Sequence, residues 1–390
     1  MKILQIFNRY EQFGGEEACV QEMETALRTR HEVLTSYGST KELLGVSFVD
    51  KIQAPLKAIW NRNAFLTLRK LQVAEKFDVW LVHNVFPGLS PAVYDAAREC
   101  CVPVVQYLHN YRFTCVNGLL LNHGELCFRC LNGNFLPAVQ TRCWRESSVA
   151  GAVMGISLVR LRVVGVFRQV AHWIAISHAQ KRIHVRIGIP EEKISVLYHF
   201  YDGPKTHHQG HGGDLLFLGR ISPEKGVRLL VDTWLDEKIE DRCLWIVGDG
   251  PIRGELEQRA RNCANIKFTG FLTGQALESV WREAALAIVP SICEEAFGRV
   301  LIESWARGVP VLAARIGGLP ELIESTGAGW LFDPGSSSSL GQKLRFILTD
   351  PVAFSAVAAR CGSAIASFSR EDWLTRMERI LQKATETAVG

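Results

Sequence analysis

Short apolar runs, each too brief for a buried helix and each closed at its carboxyl end by glycine, histidine or serine, recur along this 390-residue chain. They limit its fold more than any other feature. Lys2 to Phe7 is the first, followed by Phe13-Gly14-Gly15-Glu16 and a helical pattern through Leu27, which reads as strand, glycine turn, helix. Phe77 to His83, Val102 to His109 and Val170 to Ser177 repeat the grammar, and Leu215 to Gly219, Leu244 to Gly248, Ile266 to Phe268, Ala285 to Val289 and Val309 to Ala313 repeat it again. Apolar strands alternating with helices imply parallel sheets covered on both faces. In such sheets ligands collect at the carboxyl ends of strands, where Gly14, Gly15, His83, His109 and Ser177 all fall.

The chain is too long for one core, so the expectation is two doubly wound α/β domains with a cleft between them. The first spans 1–200, with a cysteine-rich insertion at 111–146. A stretch rich in glycine and without apolar periodicity, 201–213, is the linker, and the second domain spans 214–368. The tail 369–390 is amphipathic and is expected to cross back to the first domain, clamping a hinge.

With 47% apolar and 22% charged residues the chain is globular. A net charge of +4, on 44 basic and 40 acidic side chains, is too mild for a dedicated nucleic-acid binder. Eleven cysteines is an odd count, and the opening residues lack a signal-peptide pattern, so a secreted disulfide framework is disfavoured and a cytoplasmic location is expected. The apolar stretch from Val149 ends at Arg160, short of a membrane span.

Several segments carry candidate chemistry. Arg220 and Lys225 lie five apart on a glycine-bearing turn after a strand, where two cations suit a diphosphate; alone, such a pair is more often a solvated basic loop. Gly248-Asp249-Gly250 makes another turn of the same kind. In 290–310, Glu295 and Glu303 are eight apart around Phe297-Gly298, with 299–306 helical in pattern. A phosphate at that helix start would meet free N–H groups, Glu295 can accept from sugar hydroxyls, and Glu303 can reach a ribose diol.

Taken in order, Gly14-Gly15, Arg220 with Lys225, Gly248-Asp249-Gly250, Glu295-x7-Glu303 with Phe297-Gly298, and Gly317-Gly318-Leu319-Pro320-Glu321 resemble the retaining nucleotide-sugar glycosyltransferases of family 4 over nearly the whole chain. The resemblance implies a GT-B fold, with two Rossmann-like doubly wound parallel-sheet domains facing a central cleft. It also implies hexosyl transfer from a nucleoside diphosphate sugar, held mostly by the carboxyl-terminal domain, to a glycan or lipid-linked acceptor in polysaccharide assembly. By the same resemblance Arg220 and Lys225 neutralise the leaving diphosphate without a catalytic metal, and Glu295 positions the hexose. Glu303 takes the ribose, the backbone amides of Gly298 and Arg299 meet phosphate oxygens, Gly14, Gly15, Gly248, Phe297 and Val300 also line the donor site, and His109 contacts the donor sugar or the reaction centre. Retention fits front-face attack with no protein base. Glu294 doubles the acid beside Glu295, and Ala296 stands where glycine is common, which leaves the register there open.

Two features lie outside that pattern. Cys115, Cys127, Cys130 and Cys143, with a Cys-x2-Cys centre, can close a structural Zn²⁺ site or remain thiols in a loop. Between Ser147 and Pro190 stand six Lys/Arg and no Asp or Glu, a pattern that fits a core helix with a basic face or peripheral contact with an anionic membrane. Two other functions use part of this architecture: a nucleotide-sugar epimerase and a non-catalytic scaffold of a polysaccharide complex. A dinucleotide dehydrogenase lacks its Gly-x-Gly-x-x-Gly here.

Overall fold

The computed structural model describes residues 1–10, 14–44, 48–205 and 210–389. They divide into two compact units. Unit 1 holds Met1–Asn122, Cys127–Tyr198 and Glu371–Gly390, and unit 2 holds His123–Leu126 and His199–Arg370. Beside the expected linker, His199 packs edge-on against Phe297, and within it the Tyr201 N–H donates to the Phe368 carbonyl, all in unit 2. Residues 206–209 lie outside the described residues, as does Phe13 of the first glycine turn.

In unit 1 the strands are β1 (Lys2–Arg9), β2 (Glu32–Ser39), β3 (Val79–Val82), β4 (Val104–Tyr107), the two-residue β5 (Leu121–Asn122), β7 (His172–Ala175) and β8 (Ile194–Val196), while the two-residue β6 (Glu125–Leu126) is counted with unit 2. The main sheet runs β2-β1-β3-β4-β7-β8 and is parallel. In unit 2 they are β9 (Asp214–Leu218), β10 (Leu244–Val247), β11 (Ile266–Gly270), β12 (Ala284–Val289), β13 (Val311–Ala314) and β14 (Gly329–Phe332), in the parallel order β11-β10-β9-β12-β13-β14. Both sheets therefore reverse their winding at the first strand, with β1 between β2 and β3 and β9 between β10 and β12. That is where an open α/β sheet leaves a crevice at its carboxyl edge.

The central strands are sealed on both faces. Ile3, Leu4, Ile6, Val79, Trp80 and Leu81 in unit 1, and Leu215, Leu216, Ile246, Ala287, Val311 and Leu312 in unit 2, are at most 1% exposed. Their continuous apolar runs are what parallel strands under two helical layers need. The carboxyl-terminal helix Arg370–Val389 is counted with unit 1 and buries Leu374, Met377 and Leu381. Among the described residues no single helix is long and apolar enough to cross a membrane.

Candidate active site

Unit 2 assembles its site from the loops that follow β9, β10, β12 and β13. Backbone hydrogen bonds tie them together: Ile221 N–H to the Asp249 carbonyl at 2.9 Å, Ile292 N–H to the Glu224 carbonyl at 3.0 Å, and Gly318 N–H to the Glu295 carbonyl at 2.7 Å. Two glycines permit that closeness. A Cβ on Gly226 (φ +68°) would overlap the Pro290 carbonyl, and one on Gly317 (φ +59°) would overlap the Glu295 backbone. Each also sits in the left-handed region that side chains avoid.

Lys225 and Glu295 meet at this junction. Lys225 Nζ donates to Glu295 Oε2 at 2.8 Å, and Ser291 Oγ donates to the same oxygen at 2.9 Å. Burial alone would raise the Glu295 carboxyl, but the ammonium of Lys225 and the two hydrogen bonds hold it below its usual value. Burial likewise opposes charge on Lys225, and the carboxylate of Glu295 overcomes it and raises the ammonium pKa. The pair is therefore ionised at neutral pH. Of the two adjacent acids, it is Glu295 whose carboxylate pairs with Lys225. Cys293, only 3% exposed beside them, is pushed up to about 12 by burial and by the Glu295 charge.

Glu303 lies about one turn along the short helix Arg299–Trp305, where Arg299 Nε approaches its Oε1 at 3.4 Å. Gly298 precedes the helix in a left-handed conformation (φ +93°). Phe297 is buried against His199 and Phe368 and so anchors the loop rather than lining an open surface, while Val300 is half-buried. Arg220 is exposed at the carboxyl end of β9, and Gly248 closes β10.

Unit 1 holds a second constellation at the carboxyl ends of β1, β3 and β4. Gly14 and Gly15 are exposed where the helix Gly15–Leu27 begins. His109 Nε2 lies 2.9 Å from His83 Nδ1, and Glu16, His83, His109, Asn110 and Arg112 line one small cavity. Glu16 Oε2 accepts from Asn110 Nδ2 at 2.9 Å. Burial raises the Glu16 carboxyl to about 7 against the pull of Asn110, Arg112 and Tyr10. The sequence pointed to His109, and placed His83 only at a strand end. Neither Glu16 nor Ser291 was a candidate, since a Glu in a helical first turn and a lone Ser carry no pattern until a partner is seen.

The cysteine expectation is corrected. Cys115, Cys127, Cys130 and Cys143 do line one cavity, but among the described residues no three His, Cys, Asp or Glu side chains are placed to hold a metal ion. Asn117 separates two of the sulfurs, accepting from Cys115 Sγ at 3.0 Å and donating to Cys143 Sγ at 3.1 Å, while Arg129 Nε donates to Cys127 Sγ at 3.3 Å. Burial, aided by the neighbouring thiols, pushes Cys130 to about 11 and Cys143 to about 12, so these two are protonated at neutral pH. The basic stretch also reads differently in three dimensions. Arg160 pairs with Asp95 at 2.5 Å and Arg162 lies over the Phe135 and Phe167 rings, whereas the exposed side of the helix Ser148–Val163 carries Val149, Ile156, Val159 and Val163.

Comparison with known proteins gives two family matches, Glycosyltransferase Family 4 over residues 13–202 and Glycosyl transferases group 1 over residues 212–350. A sulfoquinovosyl transferase of Arabidopsis thaliana is 33% identical over 139 residues, 35% of this chain and 26% of its own. A 2-deoxystreptamine N-acetyl-D-glucosaminyltransferase of Niallia circulans is 37% identical over 141 residues, 35% of this chain and 36% of its own. A phosphatidyl-myo-inositol mannosyltransferase of Mycobacterium leprae is 29% identical over 174 residues, 44% of this chain and 46% of its own. The matched stretches thus span less than half the length of these relatives. Among solved structures, Anabaena HepE in complex with UDP and glucose superposes with a TM-score of 0.69 at 19% identity, covering 98% of this chain and 99% of that one. Sucrose-phosphate synthase from Thermosynechococcus elongatus gives 0.70 at 14% identity, covering 99% and 100%.

Proposed function

The chain belongs to the family 4, group 1 glycosyltransferases, and from that premise we propose that it transfers a hexosyl unit from a nucleoside diphosphate sugar to a glycan or lipid-linked acceptor with retention of configuration. The observation that carries the reading is the Lys225–Glu295 pair, which sets a cation and a carboxylate 2.8 Å apart where the loops after β9 and β12 converge.

In this reading the diphosphate lies against Lys225 and Arg220, whose positive charges stabilise the phosphate as charge builds on it. Glu295 accepts from hydroxyls of the transferred sugar, and its ion pair with Lys225 couples sugar position to phosphate position. Glu303, oriented by Arg299, accepts from the ribose hydroxyls. In the transfer step the bond from the anomeric carbon to the phosphate oxygen breaks and one to the acceptor oxygen forms on the same face. The acceptor proton passes to the departing phosphate oxygen. His109 is the candidate for ligand contact in the small cavity of unit 1.

We place the acceptor in polysaccharide or lipid-linked glycan assembly on the cytoplasmic side. The apolar exposed stripe of the helix Ser148–Val163, bounded by Arg145 and Arg168, supports a peripheral membrane contact, as does a relative whose name specifies a phosphatidyl-myo-inositol acceptor.

Thermal-shift titration with UDP-, GDP-, ADP- and dTDP-sugars tests the donor site. A donor at a hundredfold its dissociation constant adds about 2.7 kcal/mol to the stability of the folded protein. One nucleotide class is expected to stabilise the wild type and to fail with Arg220→Ala and Glu303→Ala, UDP being the first to try because HepE holds it. No stabilisation by any of the four would overturn the reading.

A further inference from the structure

The His83–His109 contact fixes more than a distance. β3 and β4 are adjacent and parallel, with Val82 paired to Gln106, so the residues leaving each strand lie side by side at the carboxyl edge. The His83 backbone is held on both sides, its N–H donating to the Ile6 carbonyl at 2.9 Å and its carbonyl accepting from Gln106 Nε2 at 2.5 Å. Gln106 is itself oriented by the Tyr94 hydroxyl, which donates to its Oε1 at 2.6 Å. The imidazole is 1% exposed, edge-on to Phe7 and tilted against Tyr107. His83 therefore has no freedom to turn its ring away from His109.

When both rings are neutral, imidazole nitrogens 2.9 Å apart share one proton across the contact, and either ring can supply it. The far nitrogen of His83 decides which. His83 Nε2 is buried with no hydrogen-bond partner among the described residues. If His109 were the donor, the His83 proton would sit on Nε2 and a buried N–H would have no acceptor among the described residues. If His83 donates from Nδ1, only a lone pair is left there, the less costly of the two orphans. A charged His83 is no alternative, because burial and then the neighbouring His109 hold its pKa well below the ordinary value.

We propose that His83 is a positioning residue: it donates from Nδ1 to His109 Nε2 and so locks His109 in the tautomer whose proton is on Nδ1. His109 then meets a ligand as a neutral hydrogen-bond donor through Nδ1, suited to a sugar hydroxyl or a phosphate ester oxygen, and its Nε2 lone pair is withheld from base catalysis. The lock stands on unit 1 geometry alone, while its consequence for turnover rests on the proposed glycosyl transfer.

The test has two arms that separate those claims. Ring-¹⁵N histidine labelling of the full chain, with long-range ¹H–¹⁵N correlation and assignment by His83→Asn and His109→Asn, reads the tautomers directly. His109 protonated on Nδ1 and His83 protonated on Nδ1 is the expected result, and a His109 proton on Nε2 overturns the lock whether or not any transfer activity exists. In the kinetic arm, His83→Leu is expected to lower kcat about tenfold or more with little change in donor KM. His83→Asn, which keeps an N–H near the Nδ1 position, recovers most of that loss. An unchanged kcat in a folded His83→Leu overturns the positioning role, and should that variant not fold, failure of His83→Asn to outperform His83→Gln does the same. Absence of transfer in the wild type with the expected tautomers would instead count against the proposed reaction.

Discussion

Lys225 Nζ and Glu295 Oε2 stand 2.8 Å apart across 70 residues of sequence, and the Ser291 hydroxyl shares the same carboxylate oxygen. The pair is partly buried and already ionised before any ligand arrives. Charges fixed in place before the reaction need not reorganise as the leaving phosphate develops its own. Glu295→Gln and Lys225→Ala are each expected to lower kcat about 10²- to 10³-fold, the range typical of losing one preorganised charge-stabilising group. Steady-state kinetics with the donor found by thermal shift checks this, and a kcat within a factor of two of wild type in either variant would remove the pair from the reaction.

Ser291 separates orientation from charge. Its side chain is 1% exposed, and removing its hydroxyl leaves the Lys225–Glu295 pair intact while freeing the carboxylate to rotate. Ser291→Ala should therefore cost about 1 kcal/mol of stability and about that much in transition-state binding, near a fivefold fall in kcat/KM. Urea denaturation and initial rates measured on one preparation test both numbers. A fall as large as that of Glu295→Gln would mean that Ser291 acts on the substrate itself.

What the sequence revealed follows from burial. The central strands β1, β3, β4, β9, β10, β12 and β13 announce themselves because apolar side chains are required on both faces. Of the strands that escaped notice, β2, β8 and β14 are edges of the two main sheets, and β2 shows why: Glu32-Val33-Leu34-Thr35-Ser36-Tyr37-Gly38-Ser39 buries only Val33 and leaves the rest half-buried or exposed, whereas the edge strand β11 was betrayed by its Ile266-Lys267-Phe268 run. Arg220, Lys225, Glu295 and Glu303 were visible through spacing within loops. Glu16 and Ser291 were not, and His83 stood out only as a strand-end residue, because each acquires its role from a partner elsewhere in the chain. The same limit explains Arg160 and Arg162, which read as a basic face and prove to be occupied by Asp95 and by aromatic rings.

Glu16 gives the protein a pH dependence of known sign. Burial, opposed by Asn110, Arg112 and Tyr10, raises its carboxyl from 4.5 to about 7 in the folded state. An unfolded chain loses that proton near the lower value, so between the two the folded state binds more protons than the unfolded one. The resulting stabilisation is complete below about pH 4.5 and disappears as pH rises through about 7. Glu16→Gln removes the titration. The difference in unfolding free energy between variant and wild type should shift in favour of the variant from pH 5 to pH 8, as read by urea denaturation at each pH. A difference that does not change with pH would place the Glu16 carboxyl in water.

The carboxyl-terminal helix provides the last prediction, because it belongs to unit 1 although the chain has meanwhile built unit 2. Trp373, Leu374, Met377 and Leu381 fall on one helical face and are all at most 2% exposed. At the margin of that face Glu378 accepts from Arg30 Nη1 at 2.8 Å and lies 3.3 Å from His31 Nε2. The apolar face outweighs the ion pairs, since a surface pair contributes about 0–1 kcal/mol whereas truncating a buried Leu or Met to Ala costs about 2–5 kcal/mol. Leu381→Ala and Met377→Ala should each fall in that larger range and Glu378→Gln should change stability by less than about 1 kcal/mol. Hydrogen exchange locates the damage: faster exchange in the helix Gly15–Leu27 and β1, with β9 to β14 unaffected, is the outcome that assigns the helix to the core of unit 1. Loss of protection in the unit 2 strands instead would show that the helix stabilises the other sheet.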